Sequence, residues 1–297
     1  DTMLEDLDRI EVIRGPGATL WGANAVNGVI NIITKTARET QGVLISGGGG
    51  TEEQGFGAVR YGAKLADDLY FRVYGKYVNR DDFTLDDGSR ANDWLWSGQG
   101  GFRLDWEPSD ANTLTFQGDY YSGEWGGKVF RSSFTPVPGV YPSDFRSNTD
   151  GGNLLARWTH RSSDDSEMSW QVFYDAADRG FGIGREQRGT LDFDAQHRFR
   201  VGERHEFVWG GGYRFSADDI EASPDFGMLE PSKGIQLVNL FVQDEVTLIP
   251  DRLRLTLGTK LEHNDFTGFE LQPGARISWT PHDRHSFWAA ISRAVRT

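Results

Sequence analysis

Period-two alternation of apolar and polar side chains runs through this chain from about residue 42 onward. No helix-period stripe of comparable length competes with it. In 252–262, Leu253, Leu255, Leu257 and Leu261 share one face, while Arg252, Arg254, Lys260 and Glu262 share the other. In 69–77, Leu69, Phe71, Val73 and Tyr77 oppose Arg72 and Lys76. In 191–201, Leu191, Phe193, Ala195, Phe199 and Val201 oppose Asp192, Asp194, Gln196, Arg198 and Arg200. Each run is a strand with two chemically distinct faces, so this part is all-β and antiparallel. Counting such runs gives roughly thirteen strands, many longer than the usual five or six residues. Short turns are expected near 67–68, 107–112, 162–165, 202–204, 250–251 and 281–283. Longer loops are expected near 81–93, 124–147, 179–187, 218–233 and 264–269. Long strands with short turns on one rim and long loops on the other fit a transmembrane β-barrel.

Alternation does not say which face is inside, and composition helps to decide. The net charge of −13 argues against a nucleic-acid partner, and the absence of cysteine excludes a disulfide scaffold and thiol chemistry. No apolar run is long enough for a transmembrane helix, yet a barrel strand needs only about ten alternating residues. The polar faces carry dense unlike charges, which suits a wet or plugged lumen. Aromatics recur near the expected strand ends (Trp94, Trp96, Trp106, Tyr120, Tyr121, Trp125, Trp279), as interfacial girdles require. An unclosed sheet of this size would also leave open edges. The residues favour a membrane barrel, with a large soluble β domain as the alternative.

Residues 1–35 differ from the rest. A strand ending at Arg14 meets a tight Gly15-Pro16-Gly17 turn, then a helical turn at 18–21 and an Asn/Gly turn at 24–28. The β-branched strand 29–34 follows; its non-alternating apolar character predicts burial on both faces. The stretch IEVIRGPGATLWGANAVNGVINIITK closely resembles the C-terminal end of the plug domain of TonB-dependent outer-membrane receptors. Residues 241–245, 253–258 and 289–297 resemble barrel strands of that family more diffusely.

The resemblance implies a 22-stranded barrel filled by a small α/β plug, of which this chain would supply the plug end and about thirteen strands. The expected division is plug 1–36, linker 37–41 and partial barrel 42–297, and the chain is expected to be an internal fragment. Such receptors sit as monomers among the lipid and lipopolysaccharide of the Gram-negative outer membrane. They take up ferric siderophores, cobalamin or haem with energy delivered by TonB. Arg14 matches a plug arginine that faces barrel-wall carboxylates, and Glu245 is the candidate partner for such a plug–wall latch. That choice strands Asp244 on the apolar face. Gly15, Pro16, Gly17 and Gly28 are expected to serve turn geometry rather than phosphate binding, since no Gly-Lys-Ser/Thr follows them.

Two other clusters are candidates. Asp81, Asp82, Asp86 and Asp87 form an acidic stretch that could take calcium through oxygen ligands, although its spacing is not that of an EF-hand. Trp125, Arg131, Tyr141 and Arg146 fall in the expected loop 124–147 and suit an anionic metal-chelate ligand by stacking and charge. The six histidines are scattered without zinc-hydrolase spacing. No Gly-x-Ser-x-Gly elbow is present. An outer-membrane barrel enzyme or a soluble β adhesin are therefore the alternatives from other classes, and the expected protein is not an enzyme.

Overall fold

The computed structural model of the protein describes residues 3–14, 27–133, 137–223 and 227–295. Its first two strands, β1 (Leu7–Arg14) and β2 (Gly28–Thr34), pair antiparallel as a separate two-stranded sheet. Thirteen more form one antiparallel sheet in which each strand pairs with the next. They are β3 (Gly42–Gly48), β4 (Gly55–Ala66), β5 (Leu69–Arg80), β6 (Leu95–Ser109), β7 (Asn112–Ser133), β8 (Gly139–Ser163) and β9 (Ser166–Gly180). There follow β10 (Arg185–Val201), β11 (His205–Glu221), β12 (Ser232–Ile249), β13 (Leu253–Asn264), β14 (Gly268–His282) and β15 (His285–Ser292). None of the described helices is long and apolar enough to cross a membrane.

The register sorts side chains by face. Val73, Phe102, Leu154, Tyr174, Leu191 and Phe215 lie in one cross-strand row, joined through Gly118, and all six are substantially solvent-accessible. The opposite face carries Arg72, Arg103, Asp119, Asp192, Arg214, Lys260 and Glu262. Among the described residues only four hydrophobic side chains are buried, against eleven polar or charged ones. A soluble sandwich shows the reverse, because burying apolar surface is what stabilises it. On β13 the leucines from 253 to 261 span roughly 26 Å along the strand at about 3.3 Å per residue. That matches the ~25 Å apolar band of a membrane barrel. Aromatic pairs Trp158–Trp170 (4.8 Å), Phe199–Phe207 (5.5 Å) and Trp279–Phe287 (5.8 Å) gird the short-turn rim on the apolar face.

Two expectations need correction. The loop predicted at 124–147 is mostly strand, while those predicted at 179–187 and 218–233 lose only their ends to β9, β10, β11 and β12. The β7–β8 ladder continues without a bulge from Asn112↔His160 to Ser133↔Gly139, because nothing in the register interrupts it, and leaves only a short tip. The strand 28–34 is not buried on both faces: Ile30 and Ile32 are 69% and 54% exposed, with Val12 and Ile10 opposite them. A lone hairpin offers its strands one neighbour each and leaves that apolar face uncovered.

Candidate functional site

The best-buried ionic network joins the hairpin β1–β2 to the polar face of β4, β5 and β6. The pleat sends Arg60, Arg72, Arg103 and Asp105 to that face because the apolar residues between them take the other. Asp6, at the entry to β1, is 1% exposed and pairs with the Arg60 guanidinium; Arg72 Nε lies 3.4 Å from its other oxygen. Arg72 Nη1 also donates to the Lys35 carbonyl (2.8 Å), and Arg103 Nη1 donates to Thr34 Oγ1 (3.1 Å). Asp105, 3% exposed, accepts the Ala37 N–H at 2.7 Å, the Thr115 hydroxyl at 2.7 Å and Arg103 Nε at 2.9 Å. The backbone closes the base of the hairpin, with Lys35 N–H donating to the Asp6 carbonyl at 2.9 Å. A cavity of about 80 Å³ beside this seat is lined by Asp6, Arg72, Tyr74, Arg103, Gln117 and Asp119.

A charge contact between the β1–β2 hairpin and the sheet is therefore present, with the carboxylate on the hairpin side and the guanidinium groups on β4 and β5. The Arg14 side chain and residues Gly15, Pro16 and Gly17 lie outside the described residues. Glu245 is engaged within the wall, 3.5 Å from Arg254 Nη1 on the neighbouring strand. Gly28 opens β2 opposite Arg14 with φ of 155°, a value that favours glycine. Asp244 does lie on the apolar face, where His205 Nδ1 meets its Oδ2 at 2.8 Å near the short-turn rim.

At the other rim the four residues proposed for ligand contact divide between faces. Trp125, Arg131 and Tyr141 fall on the polar face and Arg146 on the apolar one, since the β7–β8 ladder keeps strict alternation. Trp125 meets Phe145 edge-on at 5.0 Å, Arg131 is directly opposite Tyr141, and Arg131 Nη2 donates to the Gly182 carbonyl at 2.8 Å. Arg146 pairs with Glu124 and lies over the Trp94 ring at 5.3 Å. Arg179 is exposed on the polar face of β9, opposite Thr149. Neither Phe145 nor Arg179 is marked by local spacing; only the ladder puts Phe145 against Trp125 and Arg179 on the same face of the next strand.

The acidic stretch is not assembled into a metal site. Asp81 and Asp82 face Arg90 at 3.6 and 3.4 Å, Asp82 also accepts the Trp94 N–H, and Asp87 accepts both the Ser89 hydroxyl and its N–H. The two Ser89 hydrogen bonds hold the Asp87 carboxyl below its usual range. Among the described residues no three His, Asp or Glu side chains converge on a metal-sized point.

Comparison with known proteins agrees with this architecture. The profile described as TonB dependent receptor-like, beta-barrel matches residues 39–297. The ferric enterobactin receptor of Pseudomonas aeruginosa is 25% identical over an alignment covering 98% of this chain and 46% of that protein. The vitamin B12 transporter BtuB of Vibrio cholerae is 51% identical over 45 residues, which are 15% of this chain and 7% of that protein. The solved siderophore receptor PirA from P. aeruginosa superposes with a TM-score of 0.73 at 18% identity, covering 99% of this chain and 50% of that one. The chain thus spans about half the length of the relatives it matches.

Proposed function

The chain belongs to the TonB dependent receptor-like β-barrel family, and we propose from that premise that it is the plug end and part of the barrel of an outer-membrane importer for a ferric siderophore. The observation that carries this reading is the near-complete alignment of the chain with a ferric enterobactin receptor. The polar face at the long-loop rim supports it, with Trp125, Phe145, Tyr141, Arg131 and Arg179 as aromatic and cationic groups. Aromatic faces stack on flat chelating rings, and guanidinium groups hydrogen-bond to the oxygens of an anionic complex. In this account Arg131 and Tyr141 orient the bound chelate, while Asp6, Arg60 and Arg72 seat the plug against the wall. Passage of the ligand needs no covalent step. TonB would supply the pull from the periplasm, and the apolar face would meet lipid and lipopolysaccharide around a monomeric barrel. In the 81–93 loop Arg90 and Ser89 occupy the carboxylates that a calcium ion would need.

Cobalamin is the second reading, resting on the local likeness to BtuB. Growth separates the two. A strain lacking its own siderophore and cobalamin receptors is given the full-length receptor that contains this chain. Growth with ferric enterobactin as sole iron source is expected. Growth restored only for cobalamin-dependent metabolism would replace the first reading by the second.

A further inference from the structure

The segment joining β2 to β3 was expected to be a linker, yet its contacts are those of a fixed part of the wall. Thr40 is 1% exposed and Ala37 is fully buried. The Thr40 carbonyl rests so closely on Gly62 of β4 that a Cβ there would stand 2.2 Å from its oxygen, so only glycine admits the segment. Arg38 reaches along the same polar face, with its guanidinium 4.9 Å from the Tyr70 ring centre and 3.2 Å from Glu107. The short 3₁₀ turn Arg38–Thr40 is braced internally. Glu39 accepts the Thr36 N–H at 2.7 Å and its hydroxyl at 2.8 Å, and the Gln41 amide donates to the Ala37 carbonyl at 2.5 Å. With Arg72 on Lys35, Arg103 on Thr34 and Asp105 on Ala37, most residues from 34 to 41 are held by the wall or by one another. Asp6, at the base of the partner strand of the same hairpin, pairs with Arg60 of β4 and Arg72 of β5.

We propose that Asp6 and residues 34–41 form a static anchor rather than a tether, with Arg72 and Asp105 as its positioning residues. Any plug displacement that opens the lumen then takes place outside this anchor, while the base of the β1–β2 hairpin stays docked. A flexible tether would let the whole plug swing free, and its backbone groups would be solvated; here the Lys35 carbonyl and the Ala37 N–H are committed to wall side chains. The inference rests on the importer reading for its transport consequence but not for its geometry, so two measurements are needed.

The first uses Arg38→Cys with Glu107→Cys in the full-length receptor, bridged by a short bismaleimide, with both single variants treated identically. Uptake of iron-loaded enterobactin by cells is expected to stay within about twofold of the unbridged protein. A loss of tenfold or more in the bridged pair alone would overturn the proposal. The second follows amide exchange of Lys35 and Ala37 in the purified receptor. Protection equal to that of the β5–β6 ladder is expected, and exchange as fast as in the exposed 84–90 loop would overturn the anchor. Absence of uptake in the unmodified receptor would reject the importer reading, and exchange would then decide the anchor alone.

Discussion

Replacing Asp6 by Asn removes one carboxylate from a buried set of three guanidinium groups and two carboxylates. The local charge rises from +1 (three minus two) to +2 (three minus one), with Arg60 and Arg72 only 8% and 6% exposed. Removing one partner of a buried pair costs about 3–5 kcal/mol, because the remaining charge stays desolvated. Asp105 still neutralises part of the set, so the lower end applies. About 3 kcal/mol corresponds to roughly a hundredfold at ~1.4 kcal/mol per decade. Hydrogen exchange of the Lys35 and Ala37 amides reads this opening directly, and both are expected to exchange about a hundredfold faster in Asp6→Asn. Adding Arg60→Met returns the charge to +1 and is expected to recover at least a third of the lost protection on a logarithmic scale. Exchange within threefold of the parent, or no recovery in the double variant, would refute the reasoning that charge balance holds this seat.

Further outcomes follow from the same contacts. Gly62→Ala forces a Cβ against the Thr40 carbonyl and is expected to cost about 1–3 kcal/mol, seen as a lower urea midpoint of the folded barrel. Asp87 titrates below its ordinary range because Ser89 hydrogen-bonds to its ionised form. Its contribution to loop order is therefore present above the unfolded carboxylate value near 4 and is lost as pH falls through the lower folded value. Amide exchange across 84–90 should rise in that acidic window, and Ser89→Ala should move the rise to higher pH. His205→Ala leaves Asp244 on the apolar face without its histidine partner and is expected to cost about 1–3 kcal/mol in an unfolding titration. Millimolar calcium is expected to leave exchange in the 81–94 loop unchanged; saturable protection there would revive the cation reading.

Strand facing was legible in the alternation, since a period of two fixes it once one face is assigned. Alternation could not show how far β7 and β8 run. Gly126, Gly127, Pro138, Gly139 and Pro142 read as loop residues, yet glycine and serine fit an extended ladder wherever their neighbours keep pairing. The same extension put Arg146 on the opposite face from Arg131, a distinction that depends on odd or even position and is lost when a stretch is taken for a loop. The plug seat was hidden for another reason. Asp6 and Arg60 lie 54 positions apart, Ala37 and Asp105 68 apart, and no local spacing announces them. Asp244 looked anomalous on an apolar face until His205 of the adjacent strand supplied its partner. The acidic stretch carried the right atoms for calcium, but Arg90 sits among them and takes two of the carboxylates.

The most direct measurement is an equilibrium titration of the purified full-length receptor with ferric enterobactin, followed by quenching of tryptophan fluorescence. Saturable quenching with a Kd of about 1 μM or tighter is predicted. Arg131→Ala should weaken it roughly tenfold, as loss of one charge-assisted hydrogen bond implies. No saturable response to ferric enterobactin up to about 100 μM, with tight binding of cyanocobalamin in the same protein, would contradict the account.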